Sequence, residues 1–261
     1  MVRVNGRAIE DYKRYDVLET GLAVPRAEPL YRPAISNGIP VDDFVIDDSL
    51  VLYLPLYALK GSKFKSVDRN GYTCTAVGAL WQPYGRLFDG SDDRITFATN
   101  ITKGLTGLTI LAWIKPTDVS STQAILADYT SGNDASAVME ISDVAGTSTY
   151  RISFSAKGED VPLVTCSGSI TSRAYGSWTM VGGTWDNLVL RAYGNGVYDG
   201  VVALIADTLE STVTENTCIG ELKAGGAEDY SGGLGELWIY SRGFSAAEML
   251  RSYSATVWRY Q

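Results

Sequence analysis

The chain has 261 residues, no histidine, 45% hydrophobic residues and a formal net charge of -8. That length suits one large β domain or two small ones, and the apolar share supports a sizeable core. The missing histidines exclude Ser-His-Asp and Cys-His catalysis and every His-ligated metal, and the acidic balance excludes a nucleic-acid surface of clustered Lys and Arg.

The N-terminal stretch "MVRVNGRAIEDYKRYDVLET" has no apolar core of a signal peptide. The expectation is a soluble protein that is not exported by the usual route. Ala8–Glu19 has the length for one or two helical turns. Pro25, Pro29, Pro33 and Pro40 then fix φ and remove donors, so this part should run extended. Leu22, Val24, Leu30, Tyr31, Ile35 and Ile39 are spaced along it, as in an arm that docks on a neighbour. The predicted division is an extended arm over residues 1–45 and a β-sandwich over 46–261. The longest apolar run, Leu50 to Leu59, is too short for a bilayer and contains Pro55, so no membrane insertion is expected.

From Val45 onward the text is β. "DRITFAT" alternates through Ile95 and Phe97. "LTILAWIKP" puts Leu108, Ile110, Ala112 and Ile114 on one face, and Leu111 and Trp113 on the other. "YRISFSAKG" alternates through Ile152 and Phe154, and "SWTMVGGTW", "LVLRAYGNG" and "GELWIYSR" follow. Short period-two runs bounded by Gly, Asp, Asn or Ser, with little helix between them, indicate an all-β sandwich. Runs apolar on both parities fit central strands. In "TWDNLVLRAYGNGVYDG", Asn195-Gly196 reads as a hairpin turn. No helix follows it, so it is not a phosphate-cradling loop. Ser245 and Glu248 form a capping box at the head of a late helix, "SAAEMLRSY". Cys74, Cys166 and Cys218 lack CxxC spacing. They read as small buried apolar residues, with one disulfide left open.

Several segments together resemble the LamG-like branch of the concanavalin A-like lectin/glucanase superfamily. They are, in order, "DRNG" (Asp68–Gly71), "GRLFDGSDDRITF" (Gly85–Phe97), "LTILAWIKP", "WTMVGGTWD" (Trp178–Asp186), "YGNG", "CIGEL" and "GGLGELWIYSRGFSAAEM" (Gly232–Met249). Independent short patterns rarely line up by chance. The resemblance covers residues 46 to 255 and implies a two-sheet jelly roll. Two positions depart from the family pattern. Thr179 and Met180 stand where a His usually follows the strand Trp. Gly235 stands where an acidic residue can help hold a structural cation, which weakens a calcium expectation.

The residues themselves give no catalytic, cofactor or metal assignment. Retaining glycoside hydrolysis needs two carboxylates on one face. Glu140 and Asp143 are three apart and point to opposite faces of a strand. The expectation is therefore no enzyme. Calcium at "DGSDD" is the open alternative, with Asp92, Asp93 and Asp128 as its first ligands. Six Trp and 16 Tyr suit sugar stacking or a protein interface. Trp113, Trp178 and Trp238 read as core, whereas Trp81, Trp185 and Trp258 lie nearer ends and turns. The acidic pairs Asp42-Asp43 and Asp47-Asp48 read as a solvated face. An arm, one compact jelly roll and no export signal together suggest a virion structural protein, since the family also occurs in phage capsid decoration and tail components. Its partners would be copies of itself or other virion proteins through the arm, with cell-surface glycans a further ligand. The alternative is a bacterial, extracellular carbohydrate-binding module without assembly duties.

Overall fold

The computed structural model describes residues 47–261 apart from 118–120, 132–133, 224 and 227. Of the first 46 residues it describes only the backbone of six short strands. The chain divides into two units, Met1–Asp43 and Phe44–Gln261. In the first, β1 (Arg3–Val4) pairs with β2 (Arg7–Ala8), β3 (Tyr15–Val17) with β4 (Ala23–Pro25), and β5 (Ile35–Ser36) with β6 (Ile39–Pro40). Where Ala8–Glu19 is described, at Ala8 and Tyr15–Val17, it is strand and not helix. The rest of that stretch, and most of the expected arm, lies outside the described residues.

The second unit is a sandwich of two antiparallel sheets. Sheet I runs β10 (Leu80–Gln82), β11 (Gly85–Asp89), β23 (Ser231–Tyr240), β13 (Leu108–Pro116), β19 (Thr179–Trp185), β20 (Val189–Gly194) and β21 (Val197–Ala203). β7 (Leu50–Pro55) also pairs with β23. Sheet II runs β17 (Val164–Ser167), β16 (Thr149–Ala156), β15 (Asp134–Val144), β14 (Gln123–Ser131), β22 (Cys218–Ile219), β12 (Arg94–Phe97), β9 (Thr73–Val77) and β8 (Lys63–Lys65). β18 (Arg173–Ala174) pairs with β16. The core lies between the sheets. Alternate residues of β13 (Ile110, Ala112, Ile114) meet Met139, Ile141, Ile152 and Phe154 from sheet II in one cluster. All three cysteines are free and buried.

β13, β19 and β23 are apolar on both parities because both faces of sheet I are covered. Their second face packs under α1 (Ala246–Thr256), whose capping box of Ser245 and Glu248 is complete. Trp113 stacks on Tyr260 at 4.5 Å and on Tyr253 at 5.7 Å, and its Nε1–H donates to Thr256 Oγ1 at 2.8 Å. Gly182 is bare because Met249 of the helix occupies the space, with its Cε 2.5 Å from where a Cβ would stand. Burying each large side chain here stabilises by about 2 kcal/mol. The Asn195-Gly196 turn has φ of 52° and 75°, as a type I′ hairpin requires. The hairpin tip rests against Leu250 and Tyr253 of α1.

Several family-pattern residues prove to be pins of this scaffold. Asp68 of "DRNG" is buried and accepts from Tyr53 N–H at 2.9 Å and Asn70 N–H at 2.8 Å. Arg86 is buried and donates to the carbonyls of Ala79 and Leu59, both at 2.8 Å, and of Gly61. Asp47 and Asp48 are exposed, as expected, and pair with Arg242 and Arg69. Asp42 and Asp43 lie outside the described residues.

Candidate functional site

Two places on the sandwich gather chemistry. The first is a groove on sheet I where β11, β23 and β13 lie side by side. Register places Gly232 between Phe88 and Pro116, and Gly233 between Leu87 and Lys115. Gly232 has φ of 133°, and a Cβ there would stand 2.3 Å from the Lys115 carbonyl oxygen. Only glycine fits that approach. Gly233 leaves an open floor, and the Trp178 ring leans to 3.1 Å from where its Cβ would be. Tyr84 meets Trp178 edge-on at 5.6 Å and 73°, and Trp178 also touches Tyr260 at 4.7 Å. Tyr175 and Gly176 form the facing wall, tied down by the Gly176 N–H to Pro116 O bond of 2.8 Å. The Tyr175 hydroxyl donates to Asp143 Oδ1 at 3.3 Å. Lys115 is the one charged side chain among the described residues lining the groove. The result is an apolar trough with aromatic walls, a backbone floor and one cation.

This placement revises the tryptophan assignments. Trp113 and Trp238 are core, as expected. Trp178 is not; it is half-buried at the groove because its floor is glycine. Trp185 was expected near the surface but is fully buried, since it ends β19 pointing inward and donates to Leu204 O at 3.0 Å. Trp81 and Trp258 are half-buried under Lys60 and Arg259 respectively.

The second place is an acidic rim. Carboxylate oxygens of Asp89, Asp92 and Asp93 lie within 4.8 Å of one another. Asp93 is held by the Asp89 N–H at 2.9 Å, and Asp89 accepts from Ser91 N–H at 2.9 Å. Burial, then the charges of Asp89 and Asp92, push Asp93 above the usual carboxylate range. Asp229 is pushed the same way by burial and by Asp92 and Asp89, and its Oδ1 is buried without a hydrogen-bond partner among the described residues. Crowded hard oxygens whose charges raise one another fit a divalent cation such as calcium. Of the three ligands expected from sequence, Asp92 and Asp93 are here. Asp128 is not. It is fully buried on β14, accepting from Thr102 N–H at 2.8 Å and from the Thr102 hydroxyl. Asp89 takes its place, and Asp229 lies near enough to feel the charges of Asp92 and Asp89. Gly235 takes no part, because Tyr260 fills the space its side chain would need. Calcium at a hundred times its Kd should stabilise the fold by about 2.7 kcal/mol. Asp92→Ala should abolish that gain. Melting curves with calcium and with chelator check this, and identical curves would remove the ion from the rim.

Glu140 and Asp143 do not come together either. Asp143 faces Tyr175, whereas Glu140 faces Glu228 from the loop before β23. Burial, then the nearby Glu228, lifts Glu140 to about 8 from 4.5. A carboxyl buried against a second one is not the open, spaced pair that hydrolysis across a sugar needs. Folded Glu140 keeps a proton that the unfolded chain gives up from about pH 4.5 to about 8, so stability falls as pH rises through that window. Glu140→Gln should flatten that fall and add roughly 1–2 kcal/mol above pH 8, discounted for partial exposure. Urea titrations at pH 5 and 8.5 check it; an unchanged pH slope would dismiss the raised Glu140. Nothing in the sequence linked Glu140 to Glu228, 88 positions away, and only the β14–β15 register and the folded loop bring them together.

A model described as the concanavalin A-like lectin/glucanases superfamily, of laminin G type, matches residues 89–249. No curated protein matches the chain. Solved structures of similar fold include the botulinum neurotoxin serotype D binding domain, 12% identical with a TM-score of 0.59 over 80% of this chain and 51% of that one. A second is the binding domain of botulinum neurotoxin DC in complex with SialylT, 13% identical with a TM-score of 0.58 over 80% and 52%. A third is the binding domain of paraclostridial mosquitocidal protein 1, 14% identical with a TM-score of 0.57 over 79% and 52%. The chain spans about half the length of these toxin domains.

Proposed function

This chain belongs to the concanavalin A-like lectin/glucanases superfamily, and from that membership we propose that it is a non-catalytic module that binds a glycan in the groove of Tyr84, Trp178 and Tyr175. The observation that carries this reading is the aromatic pair over a glycine floor. A pyranose ring needs a flat apolar face to stack on and polar groups at its edge. Tyr84, with Trp178 packed edge-on beside it, and Tyr175 supply the aromatic surface; Lys115 and Thr117 supply the polar edge. The same features argue against hydrolysis, because no carboxylate is among the described residues that line the trough. A toxin binding domain of this fold has been seen in complex with SialylT, which is compatible with a sugar ligand here.

A glycan array on the purified chain tests the proposal. Tyr84→Ala removes a side chain that is 42% exposed and meets Trp178 edge-on. It should weaken binding by about 1–2 kcal/mol, roughly ten-fold. An array that stays blank, or a Tyr84→Ala variant that binds as well as the parent, would refute the groove reading. We further propose that residues 1–45 anchor the sandwich in a larger particle, as in a phage capsid decoration or tail component. The support is their proline spacing and the apolar residues along them. A chain lacking residues 1–45 that still enters particles would overturn the anchoring role.

A further inference from the structure

The groove is polar at one end only. Register lines up one residue from each strand that meets there. Lys115 of β13 lies opposite Gly233 of β23, Gly233 opposite Leu87 of β11, and Leu87 opposite Leu80 of β10. Residues directly opposite in antiparallel strands share a face. Leu87 stands outward, because its neighbours Arg86 and Phe88 are buried. The row therefore runs from a cation, over bare backbone, to two leucines. At about 4.8 Å per strand spacing it spans on the order of 14 Å.

The far end is apolar and open. Leu80 is 62% exposed, Leu87 39%, and Tyr84, in the turn between β10 and β11, 42%. Tyr84 and Leu87 both line the groove, so Leu80 extends its wall. Asp89, the next outward residue of β11, closes the strip on the side of the acidic rim. Two features select what covers it. Lys60 stands at this edge with its ammonium 4.7 Å over the Trp81 ring, and a lysine on an edge opposes pairing with another strand. Even at about 250 Å² for each bare side chain, the exposed fractions leave under about 400 Å², half of one protein partner's share of a standard interface, about 800 Å². The groove's volume, about 380 Å³, lies within the span of small-molecule sites, about 300–1,000 Å³. A small ligand fits that extent; a protein does not.

We propose that the groove takes an amphiphilic glycoside, whose sugar ring lies against Tyr84 and Tyr175 with hydroxyls toward Lys115 and Thr117, and whose apolar aglycone runs outward over Leu87 and Leu80. The inference rests on the glycan reading of the groove and names the ligand class within it. A free sugar carries hydroxyls around its edge, and any that meets a leucine loses water without gaining a partner. An alkyl or aryl aglycone covers the leucines without that cost, and each CH₂ it buries adds to affinity. The polarity of the row, with Lys115 and Thr117 on the β13 side and leucines on β11 and β10, sets the direction in which the ligand lies.

Isothermal titration calorimetry on the full chain tests this with paired probes. The pairs are the methyl and n-octyl glycosides of glucose, galactose, mannose and N-acetylglucosamine, kept below micelle-forming concentrations. At least one octyl glycoside should bind about ten-fold more tightly than its methyl partner, or better. Leu80→Ser should remove most of that advantage and leave the methyl glycoside's affinity as it was. Tyr84→Ala should weaken both. Leu80 is largely exposed, so the serine variant should melt with the parent. Methyl and octyl glycosides that bind alike would overturn this inference and leave the groove reading standing. An octyl advantage that survives Leu80→Ser would place the chain elsewhere and overturn it too. So would octyl glycosides that bind no better than n-octyl tri(ethylene glycol), which has the chain without the sugar. Silence from every probe would overturn it as well, and the glycan array then decides the groove reading separately.

Discussion

Asp199→Ala should lower the unfolding free energy by about 3–5 kcal/mol, the cost of stripping one partner from a buried ion pair. Asp199 sits on β21 with its carboxylate fully buried, 2.9 Å from the Arg173 guanidinium. The same carboxylate accepts from Ile170 N–H at 2.7 Å and from the Ser169 hydroxyl at 3.3 Å. Arg173 in turn donates to Ile170 O at 2.6 Å. This side chain therefore joins the backbone bonds of Gly168 and Ser169 and the β18–β16 pairing in holding segment 168–174 in place. Two glycines make the room. A Cβ at Gly168 would meet Asp199 Oδ2, and a Cβ at Gly194 would meet the Arg173 guanidinium. Alanine leaves Arg173 with 10% of its side chain exposed and no counter-charge, and Arg cannot shed its proton. For a chain of this size the melting temperature should drop by about 10 °C. Asp199→Asn keeps an acceptor for Ile170 and should recover part of the loss. Urea denaturation of both variants checks this. An alanine variant within 1 kcal/mol of the parent, on the order of ordinary surface changes, would show that the pair is not what fixes this segment.

The sequence carried the scaffold well, for a physical reason. Alternation in β13 tells the two faces apart, and Ile110, Ala112 and Ile114 do meet the core cluster while Trp113 turns to the helix. Asn195-Gly196 and the Ser245–Glu248 box are local chemistry, decided within four residues, and both are present as read. The family pattern is legible for the same reason. Asp68 and Arg86 each bond several backbone groups of the loops around them. The site residues obey no such local rule. Trp178 becomes a groove wall only because Gly233, 55 positions on, leaves space beneath it. Asp128 looks like a calcium ligand by type, yet strand parity carries it into the interior to hold Thr102. Trp185 ends a strand, and being near an end does not decide which face a side chain takes.

Arg259→Met should extend the fall of stability with rising pH beyond about pH 8. Glu236 lies mid-strand in β23 with its side chain fully buried, and Arg259 reaches it with Nη1 at 2.9 Å from Oε1 and 3.2 Å from Oε2. The Tyr53 and Tyr260 hydroxyls flank the same carboxyl. Burial drives Glu236 up to about 8 although the Tyr260 and Tyr53 hydroxyls pull it back, and the Arg259 guanidinium stands against its ionised form. Methionine keeps the apolar stem packed but removes that charge, so Glu236 moves further up. The sign follows from proton counting. Between about pH 4.5 and 8 the folded parent already holds a proton on Glu236 that the unfolded chain has released, so its stability declines through that window by up to about 1.4 kcal/mol per unit. In the variant the decline continues above about pH 8. Glu236→Gln in the Arg259→Met background replaces the acid by a neutral amide and should remove the slope contributed by this site. The strand that bears Glu236 also floors the glycan groove at Gly232–Gly233, and Trp178 leans on Tyr260 beside Arg259. The same titration should therefore loosen Trp178, and its fluorescence should track the unfolding free energy of Arg259→Met from pH 5 to 8.5. Parallel pH slopes in parent and variant above about pH 8 would mean that Arg259 does not control ionisation of Glu236.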